Sequence, residues 1–291
     1  MKLSGIWSNN LASDIENYNN DELAVKCLLS LIDESKEYDT TYYCNNDKLY
    51  NGTVNNVEFI DWIYDKLPIE TYEDRRELGI YIDKAQDISE SDYVSIEQGG
   101  KVNPFNGSKC YIISLCRINE KYVYDGCTYF LMKQSYLAES KTKDAFTKDM
   151  QECFKYVSFH PDVKRTLNTL NNNFNSIISE IITHLSCLSN YYPDFCMHRK
   201  NGDSNRVIGE QFKLKTGIDC SPQGSRGSVK ALTKEFYNEA LKRNEQLCCE
   251  MHTKFKKANR QPLKQDRIYF HPGKDGVMDG KVLVIHIGKH M

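Results

Sequence analysis

Much that would identify a function at once is missing from this chain of 291 residues. No apolar run approaches the roughly 20 residues that cross a bilayer, so no membrane role is expected. The N-terminal MKLSGIWSNN lacks the apolar core of a signal peptide. Export is therefore not expected, and a cytoplasmic setting is. There is no GxSxG, no HExxH, no carboxylate cluster of a magnesium nuclease, and no P-loop or dinucleotide fingerprint. Internal repeats, low-complexity tracts and heptads are also lacking. Eleven cysteines are present, but the number is odd and none are spaced as CxxC. Most lie in apolar segments, where a thiol acts as a small hydrophobe. They read as reduced thiols and not as a disulfide framework. A zinc site can be drawn from Cys248, Cys249 and His252, but adjacent cysteines on a strand point to opposite faces. No metal and no cofactor is called for.

What is present has the balance of a globular protein, 40% hydrophobic and 27% charged. Its net charge of −2 hides an asymmetry. Residues 1–100 hold 21 Asp and Glu against 8 Lys and Arg, whereas residues 241–291 hold 11 Lys and Arg against 5 Asp and Glu. A basic C-terminal part suits a nucleic-acid surface, RNA or DNA. An acidic N-terminal part suits a protein partner. The fold expected is α+β, with a helical N-terminal region and a C-terminal antiparallel sheet packed on long helices. The expected division is an acidic, mainly helical region over 1–100 and a basic α+β domain over 101–291.

In chain order, residues 1–20 read as irregular, and the spacing predicts helices from Asp21 to Lys36, around Phe59–Leu67, and over Tyr72–Ala85. Residues 87–108 read as a boundary. Lys109–Ile118 reads as a buried strand, followed by a hairpin of Tyr122–Tyr124 and Thr128–Met132 turning at Asp125-Gly126. A long helix is expected from Asp162 to Leu188, with His184 packed or at the surface and not catalytic. A loop-rich connector over 191–227 follows, whose Gly217–Gly227 stretch reads as a plain lead-in and only weakly as an anion loop. Ser228 then caps a helix over Val229–Asn244.

Residues 246–291 organise the functional reading. They predict three strands, Leu247–Phe255, Arg267–His271 and Lys281–His290, broken by Pro262, Pro272-Gly273 and Asp279-Gly280. Side chains alternate along a strand, so each strand buries an apolar face and presents ionisable groups on the other. One surface then carries Glu250, His252, Lys254, Arg267, Tyr269, His271, His286 and His290. Such a set suits metal-independent acid–base chemistry on a phosphodiester, with Lys and Arg stabilising the phosphorane-like transition state. Along one strand at ~3.3 Å per residue, His286 and His290 stand ~13 Å apart and cannot both touch one phosphate.

A helix leading into three antiparallel strands with Asp266-Arg267-Ile268-Tyr269-Phe270 and Gly280-Lys281-Val282-Leu283-Val284-Ile285-His286-Ile287-Gly288-Lys289-His290 resembles the small ribonuclease toxins of the RelE/HigB superfamily. The likeness covers about the last quarter of the chain, and the long N-terminal part departs from that family. It implies that Arg267 holds an RNA phosphate and that Lys289 or His290 supplies the basic end of the last strand. The Arg-Ile-Tyr-Phe and Ile-Gly-Lys-His pattern also looks like the ends of uncharacterised bacterial proteins from mobile-element and phage-defence gene clusters. The expectation is a nucleic-acid-acting protein and, if it is an enzyme, a metal-independent ribonuclease. His252 or Glu250 would be the base, His286 or His290 the acid, and Lys254 and Arg267 the phosphate clamp. Tyr269 would orient the phosphate or stack a base. The alternative is a non-catalytic binding or regulatory component that docks nucleic acid or a partner protein.

Overall fold

The computed structural model describes residues 1–18, 20–36, 40–66, 68–98, 109–116, 122–223, 229–255 and 265–291. Two compact units divide the chain, Met1–Tyr136 and Leu137–Met291. The division falls later than the change of charge near residue 100.

The first unit is α/β, with a parallel sheet among its helices. Its strands are β1 (Leu3–Trp7), β2 (Thr41–Cys44), β3 (Thr53–Val54), β4 (Val57–Glu58), β5 (Gln86–Asp87), β6 (Lys109–Ile113) and β7 (Tyr122–Val123). Five of them form a parallel sheet in the order β5-β2-β1-β6-β7. The strand order reverses between β1 and β6, and at their carboxyl ends Ser114 donates a short hydrogen bond to the buried carboxylate of Asp14. β1 is buried along its whole length. A strand covered on both faces shows no alternation, so residues 1–20 look irregular in sequence. Helices Asp21–Lys36 and Ile69–Asp83 form as expected, and their Leu28, Ile32 and Leu78 join Leu3, Trp7 and Ile113 in one core. Asn55 and Asn56, at φ 53° and 63°, turn the small β3–β4 hairpin. The hairpin expected from Tyr122–Tyr124 and Thr128–Met132 is absent. Asp125 accepts from the backbone of Thr128 and starts a helix over Gly126–Ala138 instead.

The second unit carries β8 (Val157–Phe159), β9 (Cys220–Pro222), β10 (Thr233–Asn238), β11 (Arg243–Cys248), β12 (Met251–Lys254), β13 (Arg267–His271) and β14 (Val282–Gly288). Its sheet has five strands and not three, in the order β8-β14-β13-β12-β9, antiparallel except at β8. The expected helix over 162–188 is broken. A short helix, Asp162–Thr166, leads into a 3-10 turn, and a new helix starts at Phe174 with Asn173 as its cap. The supposed connector over 191–227 contains helices Tyr192–Asn201 and Asn205–Thr216, each closed by a left-handed glycine, Gly202 and Gly217. The helix expected over 229–244 is only Val229–Leu232, and the remainder is the β10–β11 hairpin. The chain turns again at Cys249 and Glu250, so the strand expected over 247–255 is split in two. β13 has the bounds expected of it. Ser228, Pro262, the far part of Gly217–Gly227 and residues 99–108 lie outside the described residues.

Candidate functional site

Pairing across the sheet aligns Ser221, His252, Tyr269 and His286 in one row on β9, β12, β13 and β14. Lys254, Arg267 and Gly288 form the next row. Paired residues share a face, so the sheet does bring His252, Lys254, Arg267, Tyr269 and His286 together. The face is not open, however. Leu232, Cys249 and Ile285 pack on Tyr269, with Phe236 and Met291 against them. Ile285 reaches this face because β14 shifts register between its pairings with Tyr269 and Phe270, which leaves one extra residue on that strand.

Arg267 is 8% exposed. Its Nη1 donates to His252 Nε2 at 3.0 Å and reaches the Tyr269 hydroxyl at 3.5 Å, while its Nε is buried without a hydrogen-bond partner. Among the described residues no carboxylate lies within salt-bridge distance of it. A buried guanidinium with no counter-anion is costly.

His252 is 2% exposed, and its Nδ1–H faces the Glu250 carbonyl at 3.3 Å. That network makes Nε2 the acceptor, with Ser221 Oγ also 3.5 Å from it. Burial first, and then the charge of Arg267, push its pKa down to about 3. His252 is therefore a neutral acceptor for Arg267 and not the poised base expected of it. His286 is turned inward. Its Nε2–H donates to the Lys289 carbonyl at 2.8 Å, its Nδ1 has no partner, and burial lowers its pKa.

His290 is placed differently from the expectation. β14 ends at Gly288, and the chain folds back so that the Met291 N–H donates to the Tyr269 hydroxyl at 3.3 Å. The ~13 Å strand spacing therefore does not apply to it. His290 is partly exposed, and its pKa is lowered by burial, by Arg267 and by Lys254. Lys254 and His290 are thus the more exposed residues beside the buried Arg267.

Two predicted site residues stand apart. The Glu250 carboxylate accepts from Asn205 Nδ2 at 2.7 Å, at the start of helix Asn205–Thr216. His271 ends β13 and lines a separate cleft with Tyr192, Arg199, Lys200 and Lys274. Sequence reasoning missed those four. The available signal was the Arg199-Lys200 pair at a helix C-terminus and the Gly-rich PGKDG turn. His184 is a packing residue as expected, with Nδ1 2.9 Å from Thr253 Oγ1 beneath the sheet. Beside these groups Asp266 is fully buried, and its carboxylate accepts from the backbone and side-chain nitrogens of both Asn171 and Asn172 at 2.8–3.1 Å.

Among the described residues no group of three or more His, Cys, Asp or Glu is placed to hold a metal, and none of the eleven cysteines is disulfide-bonded. No described helix is long and apolar enough to cross a membrane. No family model, no curated protein and no solved structure matches the chain.

Proposed function

We propose that the second unit binds nucleic acid, seating a backbone phosphate at Arg267 between Lys254 and His290. One observation carries this: Arg267 is buried with an unsatisfied Nε and no carboxylate partner among the described residues. A phosphate offers the charge and the paired acceptors that such a fork lacks. The basic balance of residues 241–291 supplies the wider field. In this reading His252 holds the guanidinium and transfers no proton.

The test is binding of labelled single-stranded RNA in EDTA at several salt concentrations. Arg267→Ala is expected to weaken binding about tenfold and to reduce the salt slope by about one. An unchanged affinity and slope would end the proposal.

A second reading, a metal-independent ribonuclease of the RelE/HigB kind, is favoured by His290. It is the partly exposed imidazole beside Arg267 and Lys254. In this reading the ribose 2′-oxygen attacks phosphorus and gives its proton to His290. The bond from phosphorus to the 5′-oxygen breaks, and that oxygen takes a proton from Lys254. The products are a 2′,3′-cyclic phosphate and a 5′-hydroxyl, and water restores both side chains. His290→Ala is expected to stop cleavage while RNA binding persists. Cleavage that requires an added divalent ion would exclude this route.

A further inference from the structure

A cleft of about 610 Å³ lies where helix Tyr192–Asn201 meets the end of β13 and the loop between β13 and β14. It falls in the usual size range of small-ligand pockets. The helix supplies Tyr192, Arg199 and Lys200, β13 supplies His271, and the loop supplies Lys274.

Three observations give the cleft its chemistry. First, Arg199 is held in place. Its Nη1 donates to the Pro272 carbonyl at 2.7 Å, and its side chain is 19% exposed. The loop is shaped around it: Gly273 has φ +97°, and a Cβ there would stand 2.6 Å from Arg199 Nη1 and 2.1 Å from the Gly280 carbonyl oxygen. The acid partner of Arg199 is Asp275, whose side chain is 93% exposed at 3.3 Å, so a ligand anion can displace it. Second, two more cations line the same space. Lys200 is exposed with no ionic partner among the described residues, and Lys274 reaches Glu245 at 3.0 Å. Third, His271 Nδ1 is buried without a hydrogen-bond partner. Burial, Arg199 and Lys274 push the ring down to about 4, so it is neutral at physiological pH. A buried nitrogen left unsatisfied is costly, and a ligand that bonds to it recovers that cost. The cleft also holds an aromatic surface. Tyr192 stacks on Tyr156 with ring centroids 4.6 Å apart and planes 7° apart, which fixes its ring.

We infer that this cleft is a binding site for a nucleoside monophosphate, with the phosphate on Arg199, Lys200 and Lys274, a hydrogen bond to His271, and the base against Tyr192. Aromatic rings hold bases of every kind by stacking. The inference does not rest on the phosphate site at Arg267, since the two share no residue.

The test is isothermal titration of the full chain with the four 5′-nucleoside monophosphates, the corresponding nucleosides and inorganic phosphate. At least one nucleotide is expected to bind, and at least tenfold more tightly than its nucleoside or phosphate alone. Lys200→Glu is expected to weaken that binding at least tenfold. Lys200 is exposed and off the core, so far-UV circular dichroism should be unchanged. Nucleotide addition should also shift the His271 ring nitrogen resonances while Arg267→Ala leaves the titration as it was. No binding at millimolar nucleotide, binding untouched by Lys200→Glu, or phosphate binding as tightly as every nucleotide would overturn the assignment.

Discussion

Arg267 and His252, on neighbouring strands, meet as donor and acceptor at 3.0 Å, and this contact occupies the lone pair that a general base would need. The pair is a supporting bracket. His252→Ala should leave Arg267 Nη1 with only its longer contact to the Tyr269 hydroxyl and destabilise the chain by about 1–3 kcal/mol. His252→Gln keeps an acceptor and should recover much of that loss. Urea unfolding of both variants measures the difference.

Acid should destabilise the protein well before its carboxylates titrate. His252 and His271 are pushed down to about 3 and about 4, against an ordinary histidine near 6.5. Between those values the unfolded chain binds protons that the folded chain does not. Stability is therefore full above about pH 6.5 and falls as pH drops toward 4 and below. Urea midpoints at pH 7.5, 6, 5 and 4 should decline steadily. His252→Gln should reduce that slope from about pH 6.5 downward, and an unchanged slope would show that His252 is already protonated in the fold.

Gly288 is held to glycine by space. A Cβ there would lie 2.3 Å from Thr169 Oγ1 and 2.5 Å from the Thr166 carbonyl oxygen. Gly288→Ala must push the 3-10 turn Leu167–Thr169 off β14, at a cost of about 1–3 kcal/mol. A thermal melt shows it directly.

Asp266 should matter more for folding than its neighbour Arg267. Four donors from Asn171 and Asn172 converge on its buried carboxylate. Asp266→Ala orphans them and is expected to cost on the order of 3 kcal/mol. Arg267→Ala removes a cation that lacks a carboxylate partner, so its unfolding free energy should change less than its RNA affinity does.

The sequence announced β13 to the residue because Arg267–His271 alternates cleanly between turn signals. It concealed β1, where Leu3–Trp7 is buried on both sides and has no alternation to read. Val229–Asn244 misled for the opposite reason. Leu232, Phe236, Tyr237, Ala240 and Leu241 sit at helical spacing, yet Lys234, Phe236 and Asn238 are the more buried positions of a strand with Glu235 and Tyr237 outside. At the candidate site, strand period alone put His252, Lys254, Arg267, Tyr269 and His286 on one face, but it misplaced Glu250, His271 and the bulged Ile285. The cover was not legible, because Phe236 joins Leu232, Cys249 and Ile285 around Tyr269 only through that misread hairpin. His271 shares a strand with Arg267 but belongs to another cleft, since helix Tyr192–Asn201 lay hidden in an apparent loop.

The position of β14 has a consequence for synthesis. It joins β13 on one side and β8 on the other, and β8 has no other strand to pair with among the described residues. While residues up to about 280 are emerging from the ribosome, β8 waits with an open edge and the sheet is cut in two. Pairings this distant in the chain form slowly. Assembly of the unit, and with it the burial of Arg267, should therefore come as a late step, once Val282–Gly288 is free to slot between the waiting strands.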